Sequence, residues 1–211
     1  MQFNSIIDGV RQYYNEKIVT YGATAKGVDW NSPQSQTLRF EQLLKICDRN
    51  LVFSINDYGC GYGALVKYMT DGDYSFQYRG FEISGKMCET ARELYGELEQ
   101  CCFFTDEACL TVADYTVASG IFNIKLDRSY EEWEEYVLAI LEGINHLSKK
   151  GFAFNMLTQY SDREHMKDYL YYADPCVVFD HCKRNYSKNV ALLHDYGLYE
   201  FTILVKKYEI T

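Results

Sequence analysis

From residue 51 onward the chain alternates short apolar runs with amphipathic helical stretches, and this alternation constrains the fold more than any other feature. Runs at 51–57, 76–82, 101–105, 114–122 and 151–158 have the length and residue types of strands. Helical patterns separate them. Leu65, Val66 and Met69 follow the first run, and Ser84 is placed to cap a helix after the second. Ser129-Tyr130-Glu131-Glu132 forms a capping box after the fourth: the Ser hydroxyl accepts from an orphan amide and the Glu side chain reaches back. Tyr130, Trp133, Val137, Ile140, Leu141 and Ile144 are the apolar stripe of that helix. Ser161-Asp162-Arg163-Glu164 reads as a second capping box, and a shorter helical stretch covers about 174–185. The last two strands, 189–194 and 200–206, are joined by Asp195-Tyr196-Gly197-Leu198, a link too short for a crossover helix, so they pair antiparallel. Five β-α units and a hairpin predict an α/β fold: a Rossmann-like, doubly wound, mostly parallel seven-stranded sheet with an antiparallel C-terminal β-hairpin. Its ligand belongs at the carboxyl ends of the strands, near the switch point.

Residues 1–50 read as a helical lead-in. Ile6, Ile7, Val10, Tyr13, Tyr14 and Ile18 recur at helical spacing, 20–36 is a loop, and a second helix runs from about Gln36. At 211 residues the chain is expected to be one large domain, with 1–50 a lead-in or lid packed on the ligand-binding part, 51–211. A net charge of −9 argues against a nucleic-acid partner, which demands a basic footprint. No apolar run reaches the ~18–20 residues of a membrane span, so no membrane partner is expected. The N-terminus lacks a basic and apolar leader, and the eight cysteines contain no Cys-x-x-Cys. A cytoplasmic protein with reduced, mostly buried thiols follows. Cys176, His181, Cys182 and His194 match no zinc spacing, so no metal is expected.

Asp57-Tyr58-Gly59-Cys60-Gly61-Tyr62-Gly63 is the strongest functional signal. A strand feeding a glycine-rich turn and a helix lets backbone approach a ligand closely, and the helix N-terminus suits a carboxylate or phosphate. Glu82 ends the second strand, where a carboxylate accepts hydrogen bonds from ribose hydroxyls. Gly59, Gly61 and Ala64 also satisfy the dinucleotide pattern G-x-G-x-x-G/A, so an NAD(P)-dependent oxidoreductase is one reading. The other ligand is S-adenosylmethionine, with a ribose diol and adenine but an amino acid in place of the pyrophosphate. Asp57 favours the second: an acid there repels pyrophosphate and suits a cationic amine and sulfonium.

Over about residues 50–208 this pattern, with Glu82 and the terminal hairpin, resembles the class I S-adenosylmethionine-dependent methyltransferases. The lead-in and tail have the look of a bacterial branch. The resemblance implies that Asp57, Gly59, Cys60, Gly61 and Gly63 face the methionine moiety and that Glu82 holds the ribose. It implies that Asp106 meets the adenine amine. The stretch Ala118-Ser119-Gly120-Ile121-Phe122-Asn123 lacks the Asn/Asp-Pro-Pro-aromatic pattern, which argues against a DNA-base or translation-factor substrate. Further candidates come from the residues themselves. Trp30 is a lid over the cofactor, and Arg39 a partner for its methionine carboxylate. His194 is a general base, and Asn123 a group positioning the acceptor or cofactor amine. Tyr13, Tyr14 and Tyr196 are acceptor-pocket residues. The expected activity moves a methyl group to a hydroxyl or amine of a small metabolite, a saccharide or other biosynthetic intermediate. A non-catalytic cofactor-binding protein is the remaining alternative.

Overall fold

A computed structural model describes residues 3–207. Its strands are β1 (Phe53–Tyr58), β2 (Phe76–Phe81), β3 (Cys101–Phe104), β4 (Ala113–Ala118), β5 (Ser148–Leu157), β6 (Asn189–Leu193) and β7 (Glu200–Lys206). They form one sheet in the order β3-β2-β1-β4-β5-β7-β6. The pairs among β1–β5 are parallel, while β7 runs antiparallel to both β5 and β6. Asp57 pairs with Gly80 on one side and Val117 on the other, so β1, β2 and β4 end together. The order reverses between β1 and β4. That is the crevice where ligands bind in sheets of this kind.

The helices are α1 (Asn4–Tyr21), α2 (Pro33–Leu44), α3 (Ala64–Asp71), α4 (Gly85–Tyr95), α5 (Tyr130–His146) and α6 (Pro175–Asn185). Alternation along β5 and β7 divides the core between the two faces of the sheet. Phe152, Phe154, Phe201, Ile203 and Val205 join Trp133 and Leu141 of α5. Ala153 and Leu204 turn to the other face, with Leu43, Leu65 and Val66. The Ser129 capping box forms as expected. It starts α5 so that Trp133 is fully buried and donates its indole N–H to the Phe122 carbonyl at 2.8 Å. The lead-in helices lie on the same body: α1 packs on α4, and α2 on β5 and β7.

Four local expectations change. Helix α2 begins at Pro33, not near Gln36, because Ser32 and Ser35 cap each other reciprocally and proline suits the first turn. Ser161 makes no capping box. Its hydroxyl donates back to the Thr158 carbonyl, and only the one-turn 3-10 segment Arg163–His165 follows, since no apolar stripe continues. The link from β3 to β4 holds only the 3-10 turn Glu107–Cys109, so that β-α unit lacks an α-helix. Of the eight free cysteines, four are buried, Cys47 is half-buried, and Cys102, Cys109 and Cys176 are exposed. Among the described residues no helix is long and apolar enough to cross a membrane, and no cluster of His, Cys, Asp or Glu could hold a metal ion.

Candidate active site

The glycine loop leaves β1 at the switch point and enters α3. Gly59 has φ +82°, and a Cβ there would lie 2.2 Å from Ile121 Cγ2. Gly61 has φ +56°, and a Cβ there would meet Val28 Cγ1 at 2.8 Å. Side chains at either position would therefore both strain the backbone and fill the crevice. The loop amides are turned inward. Gly59 and Cys60 donate to the Phe81 carbonyl, and Gly63 donates to Cys60. Gly61 donates to Glu82 Oε2 at 2.8 Å. A pyrophosphate cradle relies on such amides facing the ligand; here these four are already engaged.

Two buried acids flank the loop. Tyr78 donates its hydroxyl to Asp57 Oδ2 at 2.8 Å. Burial raises the Asp57 carboxyl from an ordinary value near 3.8 to about 7; the Tyr78 bond opposes that rise and the nearby Glu82 adds to it. Burial also raises Glu82, while amides of Ser84, Gly61 and Ile83 act to keep it charged. Glu82 Oε1 accepts from Ser84 N at 2.8 Å, and each oxygen keeps a second lone pair for a hydroxyl donor. Asp57, Gly59, Cys60, Gly61 and Glu82 line one cavity with Tyr14, Trp30, Phe81 and Tyr136. It encloses about 780 Å3, counted with its open mouth. Glycine positions that close against neighbours, two buried carboxylates and an aromatic wall fit an adenosyl group carrying a cationic amino acid.

The lead-in completes this cavity. Arg11 Nε donates to the Ile83 carbonyl at 3.1 Å, and Ser84 donates to Asn15 at 2.6 Å, seating α1 over the end of β2. Tyr62 of the loop donates to Gln36 of α2 at 3.2 Å. Asp29, itself at φ +63°, is latched to α1 by Tyr13 at 2.7 Å and by Lys17. A second, larger cavity lies alongside, about 1430 Å3 with its open part. Tyr14, Val28 and Trp30 line both cavities. The rest of the second wall includes Asp29, Asn31, Arg39, Asn123, Ser161, His165, Lys167, Tyr169, Tyr172, Tyr199 and Glu200.

The residues singled out in the sequence are thus partly brought together. Gly63 lies outside the first lining and starts α3, at φ +82°. Asp106 is exposed and outside both linings, where it accepts from Ala108 N as a turn cap. Its neighbour Glu107 instead lies near Tyr58, a lining residue, and its charge helps burial to raise that hydroxyl. Arg39 faces the second cavity, not the first. Its Nε and Nη2 donate to Glu200 at 2.7 and 2.8 Å, and Nη1 donates to the Ser35 carbonyl. Asn123 lines the second cavity while its Oδ1 accepts from Leu157 N. His194 is exposed beside Tyr160 and Phe201, outside both linings. Of the three tyrosines, only Tyr14 reaches a cavity: Tyr13 is spent on Asp29, and Tyr196 bonds Thr202. No sequence signal singles out Glu200 or His165. Glu200 reads as an ordinary strand start, and His165 sits in a segment expected to be helical.

No family model matches the chain. It is 51% identical over 155 residues to a Mycobacterium tuberculosis protein named "Putative methyltransferase Rv1506c"; the match spans 74% of this chain and 93% of the relative. Among solved structures, the fold is similar to magnesium protoporphyrin IX methyltransferase from Synechocystis PCC 6803 with bound SAH. The TM-score is 0.66 and the identity 17%, over 94% of this chain and 98% of that one. Human N-acetylserotonin methyltransferase in complex with SAM gives a TM-score of 0.60 at 17% identity, over 98% of this chain and 66% of that one.

Proposed function

The chain belongs to the S-adenosylmethionine-dependent methyltransferase family, and on that premise we propose that it transfers a methyl group, where its two cavities adjoin beside Tyr14, Val28 and Trp30, to a hydroxyl or amine of a small metabolite. The observation that carries the reading is the common lining of Tyr14, Val28 and Trp30. Methyl transfer from sulfur is an in-line displacement, so donor and acceptor must meet directly, with no side chain between them, where two such cavities adjoin. S-adenosylmethionine, when bound, supplies an already activated methyl group on a sulfonium centre. The protein's work is alignment and exclusion of water.

In this reading Glu82 accepts from the ribose hydroxyls, and Asp57 offers negative charge to the cationic amino acid end. The inward-turned loop lets the ligand approach backbone at Gly59 and Gly61. The acceptor occupies the second cavity. Two acid–base pairs in that region are already closed, Arg39 with Glu200 and Asp29 with Lys17. Trp30, Tyr169, Tyr172 and Tyr199 supply aromatic surface, and Asn31, Asn123 and Ser161 supply neutral polar groups. Apart from Lys167, whose ammonium meets the Tyr169 hydroxyl at 3.4 Å, such a wall suits a largely uncharged, ring-containing acceptor with hydroxyls, and a saccharide is the class we favour. His165, on the same wall, is the histidine placed to take a proton from a hydroxyl acceptor; an amine that arrives neutral needs no such base.

The test has two stages. Calorimetric titration with S-adenosylmethionine, S-adenosylhomocysteine and NADH should show binding of the first two alone. Label transfer from methyl-labelled S-adenosylmethionine is then scored over neutral glycosides, amines and carboxylic acids. Transfer to glycosides supports the full reading. Transfer confined to carboxylic acids would overturn the acceptor class, and binding of NADH alone would overturn the cofactor.

A further inference from the structure

The Trp30 ring is held by groups that the cofactor itself does not need. The Arg39 guanidinium carbon sits 3.8 Å from the ring centroid, within stacking distance. Glu200 grips the same guanidinium through two hydrogen bonds, and both side chains of the pair are buried. Gly120 abuts the indole so closely that a Cβ there would lie 2.3 Å from Cη2. The three parts come from the loop before α2, from α2 itself and from the start of β7. Only Trp30 among them lines the first cavity, whereas all three line the second.

We propose that Arg39 and Glu200 are positioning residues that fix the Trp30 ring as the partition between the cofactor and acceptor cavities. The proposal rests on the cofactor occupying the first cavity. Without Glu200 the guanidinium would keep one anchor, the Ser35 carbonyl at 2.7 Å from Nη1, about which it could tilt. The two-point grip of a carboxylate holds its plane and so holds the ring stacked on it. A charged pair that served only to join α2 to β7 would be hard to justify by stability, because the cost of removing both charges from water offsets much of their attraction. A role in holding Trp30 gives the pair a reason to be ionic and planar.

The experiment is a cycle of variants titrated with S-adenosylhomocysteine by calorimetry, with tryptophan emission recorded alongside. Trp30 and Trp133 are the tryptophans of the chain, so the Trp30→Phe difference spectrum isolates the partition signal. Glu200→Gln should weaken S-adenosylhomocysteine binding by about 5- to 30-fold, the span of one to two stacking interactions, and should alter the Trp30 emission. Trp30→Ala should weaken binding at least as much, and Trp30→Phe should restore most of it. In the Trp30→Ala background the effect of Glu200→Gln should shrink to about twofold or less, the signature of action through the ring. Arg39→Lys, which keeps the charge but loses the planar fork, should reproduce Glu200→Gln and replaces it if that variant does not fold. An undiminished Glu200 or Arg39 effect in the Trp30→Ala background overturns the proposal, as does unchanged affinity in Trp30→Ala. No binding by the unaltered protein overturns the cofactor reading, and this proposal with it.

Discussion

Asp57→Asn tests whether the acid under the glycine loop is kept for the ligand at the expense of the fold. Burial favours the neutral form, so the folded-state carboxyl titrates near 7 while the unfolded chain titrates near 3.8. A raised carboxyl reverses the common sign of acid linkage. Stability from this group is complete below the unfolded value and is lost as the pH rises towards 7, because the folded state then holds the extra proton. Each pH unit in that window costs ~1.4 kcal/mol, so the full shift of about 3 units amounts to ~4 kcal/mol. Asparagine keeps an oxygen for the Tyr78 hydroxyl but cannot ionise. Its own burial cost is the same at every pH, so the informative quantity is the change in the gap between the two proteins. Urea unfolding from about pH 4.5 to about pH 8 should show the variant gaining ~3 kcal/mol on the parent, roughly 6–12 °C in Tm for a chain of this size. The variant should bind S-adenosylhomocysteine weakly and with no pH dependence from this position, whereas the parent binds more tightly as Asp57 ionises, so the affinity gap widens over the same range. A stability gap constant to within about 1 kcal/mol would refute the claim that burial governs this carboxyl.

Gly59→Ala places a Cβ against Ile121 at a positive φ; a loss of about 1–3 kcal/mol by denaturant unfolding, and of more than about tenfold in S-adenosylhomocysteine affinity by calorimetry, is expected. Trp133→Phe opens a gap in the core beneath α5 and strands the Phe122 carbonyl, which should cost about 2–4 kcal/mol by the same unfolding measurement while calorimetry shows cofactor affinity nearly intact. His194→Ala, on an exposed position away from both cavities, should change stability by less than about 0.5 kcal/mol and leave binding and label transfer unaltered; a large loss of transfer would return His194 to the site.

The sheet was legible because its signals are local: apolar runs of strand length, the Ser129 cap, and a link between β6 and β7 too short for a helix. The loop and its two acids were legible for the same reason, since strand, glycines and the next strand's terminal acid lie within one β-α-β unit. Contacts that depend on distant parts of the chain were not. Nothing near Arg39 announces a carboxylate partner at Glu200, so sequence alone leaves the guanidinium open to a ligand, whereas in the fold it is paired and lines the second cavity, not the first. Asp106 and Glu107 differ by one residue, and only the 3-10 turn decides that the first caps backbone while the second reaches Tyr58. The Ser161 segment carried the polar half of a capping motif without the apolar stripe that would make a helix worth forming.

The position of β7 between β5 and β6 has a bearing on how the molecule is made. A chain synthesised from its N-terminus produces β1 to β5 first, and β5 then presents Phe152, Phe154 and Met156 on a strand whose far edge has no neighbour. Until β7 docks, that edge is open to pairing with another nascent chain, and Arg39 has no Glu200 to hold. Seating β7 therefore closes the aggregation-prone edge and stacks the indole in the same movement. In the role proposed for Arg39 and Glu200, competence to act arrives together with protection from misassembly, and a ribosome-bound chain lacking β7 would have neither.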